Sequence, residues 1–194
     1  IGVLFRTTTL LALPGLLIIC GSTRRAPRAL LGIVPGLVTL GLYNQLRFGS
    51  PLETGYVQAW IAANPELAGT SGFTILAIPF HAMALWLSPG KGMLIFSPIL
   101  LALFLGSVSA WRRNSRATAA ILTTTAAYTC LYAANFAWHG SAWCWGPRYL
   151  APLTPLLILL IPTPSTATRS GRITLMLGLV SVPIQLAAVL VNYK

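Results

Sequence analysis

The chain has 194 residues, 56% of them hydrophobic and 8% charged, with a mean hydropathy of +0.76. Such a composition argues against an ordinary soluble domain and points to lipid as the medium for much of the surface. A formal net charge of +11 raises nucleic acid as a partner. It is excluded because most of the basic residues fall in short turns between apolar stretches, without a basic stripe or stacking platform.

In chain order, the pattern predicts an all-α integral membrane protein with about six transmembrane helices and one interfacial or re-entrant external helix. Residues 3–20 form the first apolar stretch, with Pro14 as an expected kink. A turn carrying Arg24, Arg25 and Arg28 follows, and residues 29–43 read as the return span. A polar, turn-rich loop comes next, holding Asn44, Arg47, Gly49, Pro51 and Glu53. Residues 73–87 are apolar but contain Pro79 and His81. If this stretch crossed, Arg112, Arg113 and Arg116 would change sides against the basic-residue bias, so it is expected to lie along the external surface. Further spans are expected over 93–110, 118–138, 149–162 and 173–191.

The charge distribution supplies a sidedness. Three turns are arginine-rich, the last through Arg169 and Arg172, and these are read as cytoplasmic. The other loops, with Arg47, Lys91 and Arg148, are read as extracytoplasmic in a multi-pass protein of the plasma membrane. The chain starts with Ile1 inside an apolar run, so residues 1–194 are expected to be a single polytopic membrane domain cut from a longer protein.

Carboxylates are scarce: Glu53 and Glu66 are the only two, and Asp does not occur. Cys20, Cys130 and Cys144 are an odd set without metal-type spacing, so a disulfide framework is not expected. His81 and His139 also lack a partner at metal spacing.

Three loop segments concentrate the unusual residues: Asn44 to Pro51, Ser88 to Gly92, and Trp138 to Tyr149. Each holds one cation, respectively Arg47, Lys91 and Arg148. Arg offers a bidentate fork and Lys a mobile point charge, and together they suit a phosphate or pyrophosphate. A lone basic residue at a helix end is ordinarily an interface anchor, and Arg47 and Lys91 fit that plainer description. Arg148 is different, because Gly146 and Pro147 hold it in a rigid turn. Trp138, Trp143, Trp145 and Tyr149 serve either as aromatic-belt residues or as platforms for a sugar ring. His139 and Glu53 complete the candidate binding set, with a solvated loop carboxylate as the ordinary description of Glu53.

These three segments, in this order, resemble those in the second half of bacterial polytopic glycosyltransferases of the GT-C type. That group is related to the dolichyl-phosphate-mannose protein mannosyltransferases and the lipid A aminoarabinose transferases. The resemblance rests on Asn44, Arg47, Phe48, Gly49 and Pro51, on Ser88-Pro89-Gly90-Lys91-Gly92, and on Trp138, Gly140, Trp145, Gly146, Pro147, Arg148 and Tyr149. It implies sugar transfer from a polyprenyl-phosphate donor at the outer membrane face, with Arg47, Lys91 and Arg148 on the lipid phosphate and the bilayer as a partner. The family's acidic catalytic residue lies in the first external loop, which has no counterpart here, so the catalytic base is expected upstream of Ile1. A divalent metal is possible only in the full-length protein, since two carboxylates are few for a hard cation. The acceptor is left open. Two alternatives stand beside this one: a non-enzymatic transporter or lipid-phosphate-binding subunit, and an inactive truncated product.

Overall fold

The computed structural model describes residues 7–21, 26–53, 73–135, 137–139, 146 and 148–190. All regular elements among these are helical, and the chain divides into two compact units, Ile1–Phe73 and Thr74–Lys194.

In the first unit, a 3₁₀ turn over Thr7–Ala12 leads into α1 (Leu13–Cys20), with Pro14 in the first turn, where its missing amide costs nothing. Helix α1 ends on Gly21 at φ 60°. Next come α2 (Ala26–Leu31) and α3 (Val34–Phe48). Helix α3 extends five residues past the expected end at Tyr43, so Asn44, Gln45 and Arg47 are helical and not part of a loop. Asn44 is buried and its amide Nδ2 donates to the Pro51 carbonyl at 3.3 Å, tying the following turn back to the helix.

The second unit begins with a 3₁₀ turn at Ile75–Ala77 and α4 (Ile78–Leu87). Helix α5 (Met93–Phe96) is a single turn, followed by a 3₁₀ segment at Pro98–Ala102 and then α6 (Leu103–Arg113). Asn114 turns the chain and accepts from the Ala117 amide at 3.0 Å, which caps α7 (Ser115–Ala134). After a 3₁₀ turn at Ala151–Leu153 come α8 (Thr154–Ile158) and α9 (Arg169–Leu190).

Helix α7 is the centre of this unit. Thr118, Ile121, Thr125, Tyr128 and Tyr132 are buried at spacings of three and four, a stripe along one side of the helix. Helix α4 packs against it: the Trp86 indole donates to Thr129 Oγ1 at 3.2 Å, and the His81 ring sits against the Ala133 carbonyl. Leu85, Met93, Leu100, Leu150, Leu153 and Leu157 fill the core. Gly106 of α6 is required for close approach, since a Cβ there would lie 2.4 Å from the Leu160 carbonyl oxygen.

The expectation of about six transmembrane helices is corrected. Among the described residues, one helix is long and apolar enough to cross a membrane, Arg169–Ala187 in α9, and 17% of its apolar window is buried. It corresponds to the expected span at 173–191. Several of the other apolar stretches are broken within the described residues, because apolarity does not guarantee an unbroken hydrogen-bond ladder. Residues 29–43 are interrupted between Leu31 and Val34, and residues 93–110 are cut at Ser97, whose φ −136° and ψ 69° are imposed by the following Pro98. Residues 149–162 yield only a 3₁₀ turn and α8, around Pro152 and Pro155. Helix α7 has 20 residues, but five threonines and two tyrosines lower its hydropathy. The sidedness assigned to the turns depended on six crossings and is withdrawn with them. The stretch at 73–87 contains a helix, α4, which packs on α7.

Candidate functional site

The site grows out of a break in the backbone. Pro98 has no amide hydrogen and drives Ser97 out of helical geometry, so the chain between α5 and α6 loses its regular hydrogen bonding. Helix α9 repairs the gap from outside. Ser181 Oγ accepts from the Ile99 amide at 2.9 Å, while its own hydrogen goes to the Leu177 carbonyl. One turn later, Gln185 Nε2 donates to the Phe96 carbonyl at 2.6 Å and to Ser97 Oγ at 3.3 Å. Pro183 lies between these two residues and interrupts the ladder of α9 itself.

Beside this repaired break is a cavity of about 290 Å³, lined by Phe96, Ser97 and Ile99 on one side and by Ser181 and Gln185 on another. Gly146, Arg148, Ala151 and Thr154 complete the lining. Its size is at the small end of ligand pockets, which run from roughly 300 to 1,000 Å³. Gly146 adopts φ +62°, a conformation disfavoured for any residue with a Cβ, and an added Cβ would meet the Phe96 ring at 3.2 Å. The Arg148 amide donates back to the Gly146 carbonyl at 3.1 Å, so the turn that presents the guanidinium is tight. Arg148 is exposed and lines the cavity, and a guanidinium can donate to two anionic oxygens while Ser97 and Thr154 offer hydroxyls.

The remaining nominated residues are distributed as follows. Lys91 is half-buried in the turn after α4, where its amide donates to Ser88 Oγ at 3.0 Å. It is not part of the cavity lining, although it precedes the one-turn helix whose Phe96 packs on Gly146. Tyr149 stacks on Tyr132 with ring centroids 4.2 Å apart and 7° between planes, which anchors the turn carrying Arg148 to α7. His139 is exposed and meets the Trp138 ring edge-on at 5.9 Å. Arg47 and Glu53 belong to the first unit. Arg47 is held along its own helix by the Tyr43 hydroxyl and lies over the Tyr43 and Phe48 rings, a cation–π setting. Glu53 is half-buried in the turn after α3. Trp145 lies outside the described residues, as do Trp143, Cys144 and Glu66. Of the nominated residues described, the cavity gathers Arg148.

Ser97, Thr154, Ser181 and Gln185 were not singled out from the sequence. One signal was present: Ser181 and Gln185 stand at i and i+4 in a helix that is otherwise apolar at its centre, where polar side chains usually have a structural or binding role. His81 is a second such residue. Its Nδ1 lies 2.8 Å from the Ala133 carbonyl, so Nδ1 carries the hydrogen and donates, and the ring stacks on Trp138 at 5.0 Å. Among the described residues, no three His, Cys, Asp or Glu side chains gather as a metal site. Compared with known proteins, the chain matches no family model, no curated protein and no solved structure.

Proposed function

We propose that this chain binds the phosphate of a polyprenyl-phosphate-linked sugar as part of a GT-C-type glycosyltransferase, with Arg148 as the phosphate-binding cation. The observation that carries this reading is the position of Arg148, exposed beside the Gly146 carbonyl that its amide bonds and lining the cavity next to α9. That helix is apolar, largely exposed along its length and long enough to cross a bilayer, so a prenyl chain has an apolar surface next to the site. As the bond between the sugar and the phosphate oxygen breaks, charge accumulates on the phosphate. A fixed guanidinium stabilises that charge more than it stabilises the intact donor, which is the condition for lowering a barrier.

The resemblance of the Ser88 to Gly92 and Trp138 to Tyr149 segments supports the sugar-transfer part of the proposal. A second reading, a lipid-phosphate-binding subunit without transfer, is favoured by one observation. The unit containing the cavity has neither Asp nor Glu in its sequence, so a carboxylate that deprotonates an acceptor would have to come from elsewhere.

The test is binding of a prenyl phosphate to the purified chain in neutral detergent, beside the corresponding prenyl alcohol. Arg148→Ala is expected to weaken phosphate binding by roughly 10- to 100-fold, the worth of one charge-assisted contact, and to leave the weaker alcohol binding unchanged. Equal binding of phosphate and alcohol by the unaltered chain removes the proposal. Retention of a prenyl-phosphate sugar without release of prenyl phosphate, in the presence of candidate acceptors, selects the second reading.

A further inference from the structure

The opposite end of α9 from the cavity has a different chemistry. Arg112 and Arg113 close α6, Arg116 follows within the first turn of α7, and Arg169 and Arg172 open α9. The tertiary fold brings these three sequence regions together. Arg113 and Ser170 line one small cavity of about 100 Å³ with Ser109, Ile161 and Thr163, and the Arg113 guanidinium reaches the Leu159 carbonyl at 3.4 Å. All five arginines are exposed. No Asp or Glu exists anywhere in this unit, so no carboxylate of its own offsets their charge.

The surface adjoining this end is apolar. On α6, Phe104, Val108 and Trp111 are 77%, 62% and 49% exposed at spacings of four and three, which places them along one side of the helix. On α9, Met176 and Leu179 are each 65% exposed. Trp111 therefore stands between an apolar wall and the guanidinium groups, the position indole prefers at a bilayer interface.

We infer that this arginine-bearing end is a docking surface for anionic phospholipid headgroups, with the adjoining faces of α6 and α9 set against the acyl chains. Charge complementarity decides the partner. Five exposed guanidinium groups bind phosphate diesters strongly, and the neighbouring wall of Phe, Val, Trp, Met and Leu suits acyl chains and not a polynucleotide. The inference goes beyond the donor site and uses none of its residues, so either can fail without the other.

The experiment transfers the full chain from neutral detergent into phosphatidylcholine vesicles, with or without phosphatidylglycerol, and measures the vesicle-bound fraction by flotation. Phosphatidylglycerol is expected to raise partitioning, and added salt to erase the gain, because exposed charges are screened over about 10 Å at 0.1 M ionic strength. Each arginine at a charged surface contributes about fivefold. The pairs Arg112→Gln with Arg113→Gln, and Arg169→Gln with Arg172→Gln, should each reduce the phosphatidylglycerol-dependent gain by about 25-fold. The matching Lys pairs should retain it, and they separate loss of charge from loss of fold, with helicity checked by circular dichroism. Equal partitioning into both vesicles overturns the inference. So does a loss of the gain in the Lys pairs equal to that in the Gln pairs, or tighter binding of single-stranded RNA than of the anionic vesicles.

Discussion

The candidate site depends on one residue that has no side chain. Gly146 holds φ +62°, a left-handed conformation that costs an L-residue about 1–2 kcal/mol, and its missing Cβ leaves room for the Phe96 ring. Gly146→Ala is therefore expected to destabilise the chain by about 1–3 kcal/mol from conformation and crowding together, seen as a lower midpoint in thermal unfolding. Because the Arg148 amide bonds to the Gly146 carbonyl, the same substitution should also weaken prenyl-phosphate binding. An unchanged midpoint and unchanged binding would show that this turn does not position Arg148. Arg47 sits in a different environment. It is drawn along α3 by Tyr43 and Phe48, and its equivalence to Arg148 in the sequence does not carry over to its surroundings.

At the scale of elements, α9 supports the segment between α5 and α6 through two side chains. Ser181→Ala removes the acceptor for the Ile99 amide, and leaving a part-buried donor unsatisfied is expected to cost about 1–3 kcal/mol. Gln185→Leu, which removes the donor to Phe96, should add to this if the two contacts act independently, a point that denaturant unfolding of both single variants and the double variant decides. The same region shows how far the sequence was legible. The helical class, the turn at Ser88 to Gly92, the helix within 73–87 and the apolar helix after Arg172 could be read from apolar runs and turn residues. The division of 93–110 into three pieces could not, because hydropathy averages over Ser97-Pro98 while the backbone does not. Arg148 was legible from its Gly-Pro setting. Ser181 and Gln185 were not, since their importance comes from a break elsewhere in the chain that they happen to face.

For the whole molecule, the division at Phe73 and Thr74 assigns the two sets of nominated residues to separate bodies. The cavity and all its lining residues belong to Thr74–Lys194. A chain beginning at Thr74 is therefore expected to keep its helicity and its Arg148-dependent binding of prenyl phosphate, measured by circular dichroism and by the detergent binding assay. Loss of binding with helicity retained would show that the cavity of this unit does not suffice for phosphate binding. The repaired break also bears on the order of synthesis. Ile99 waits for Ser181, 82 residues later, which at ribosomal rates is roughly 4–16 s. Throughout that interval the emerging chain carries an open amide and an open carbonyl in an apolar segment. The backbone pairing of this segment thus depends on a part of the chain that is made later.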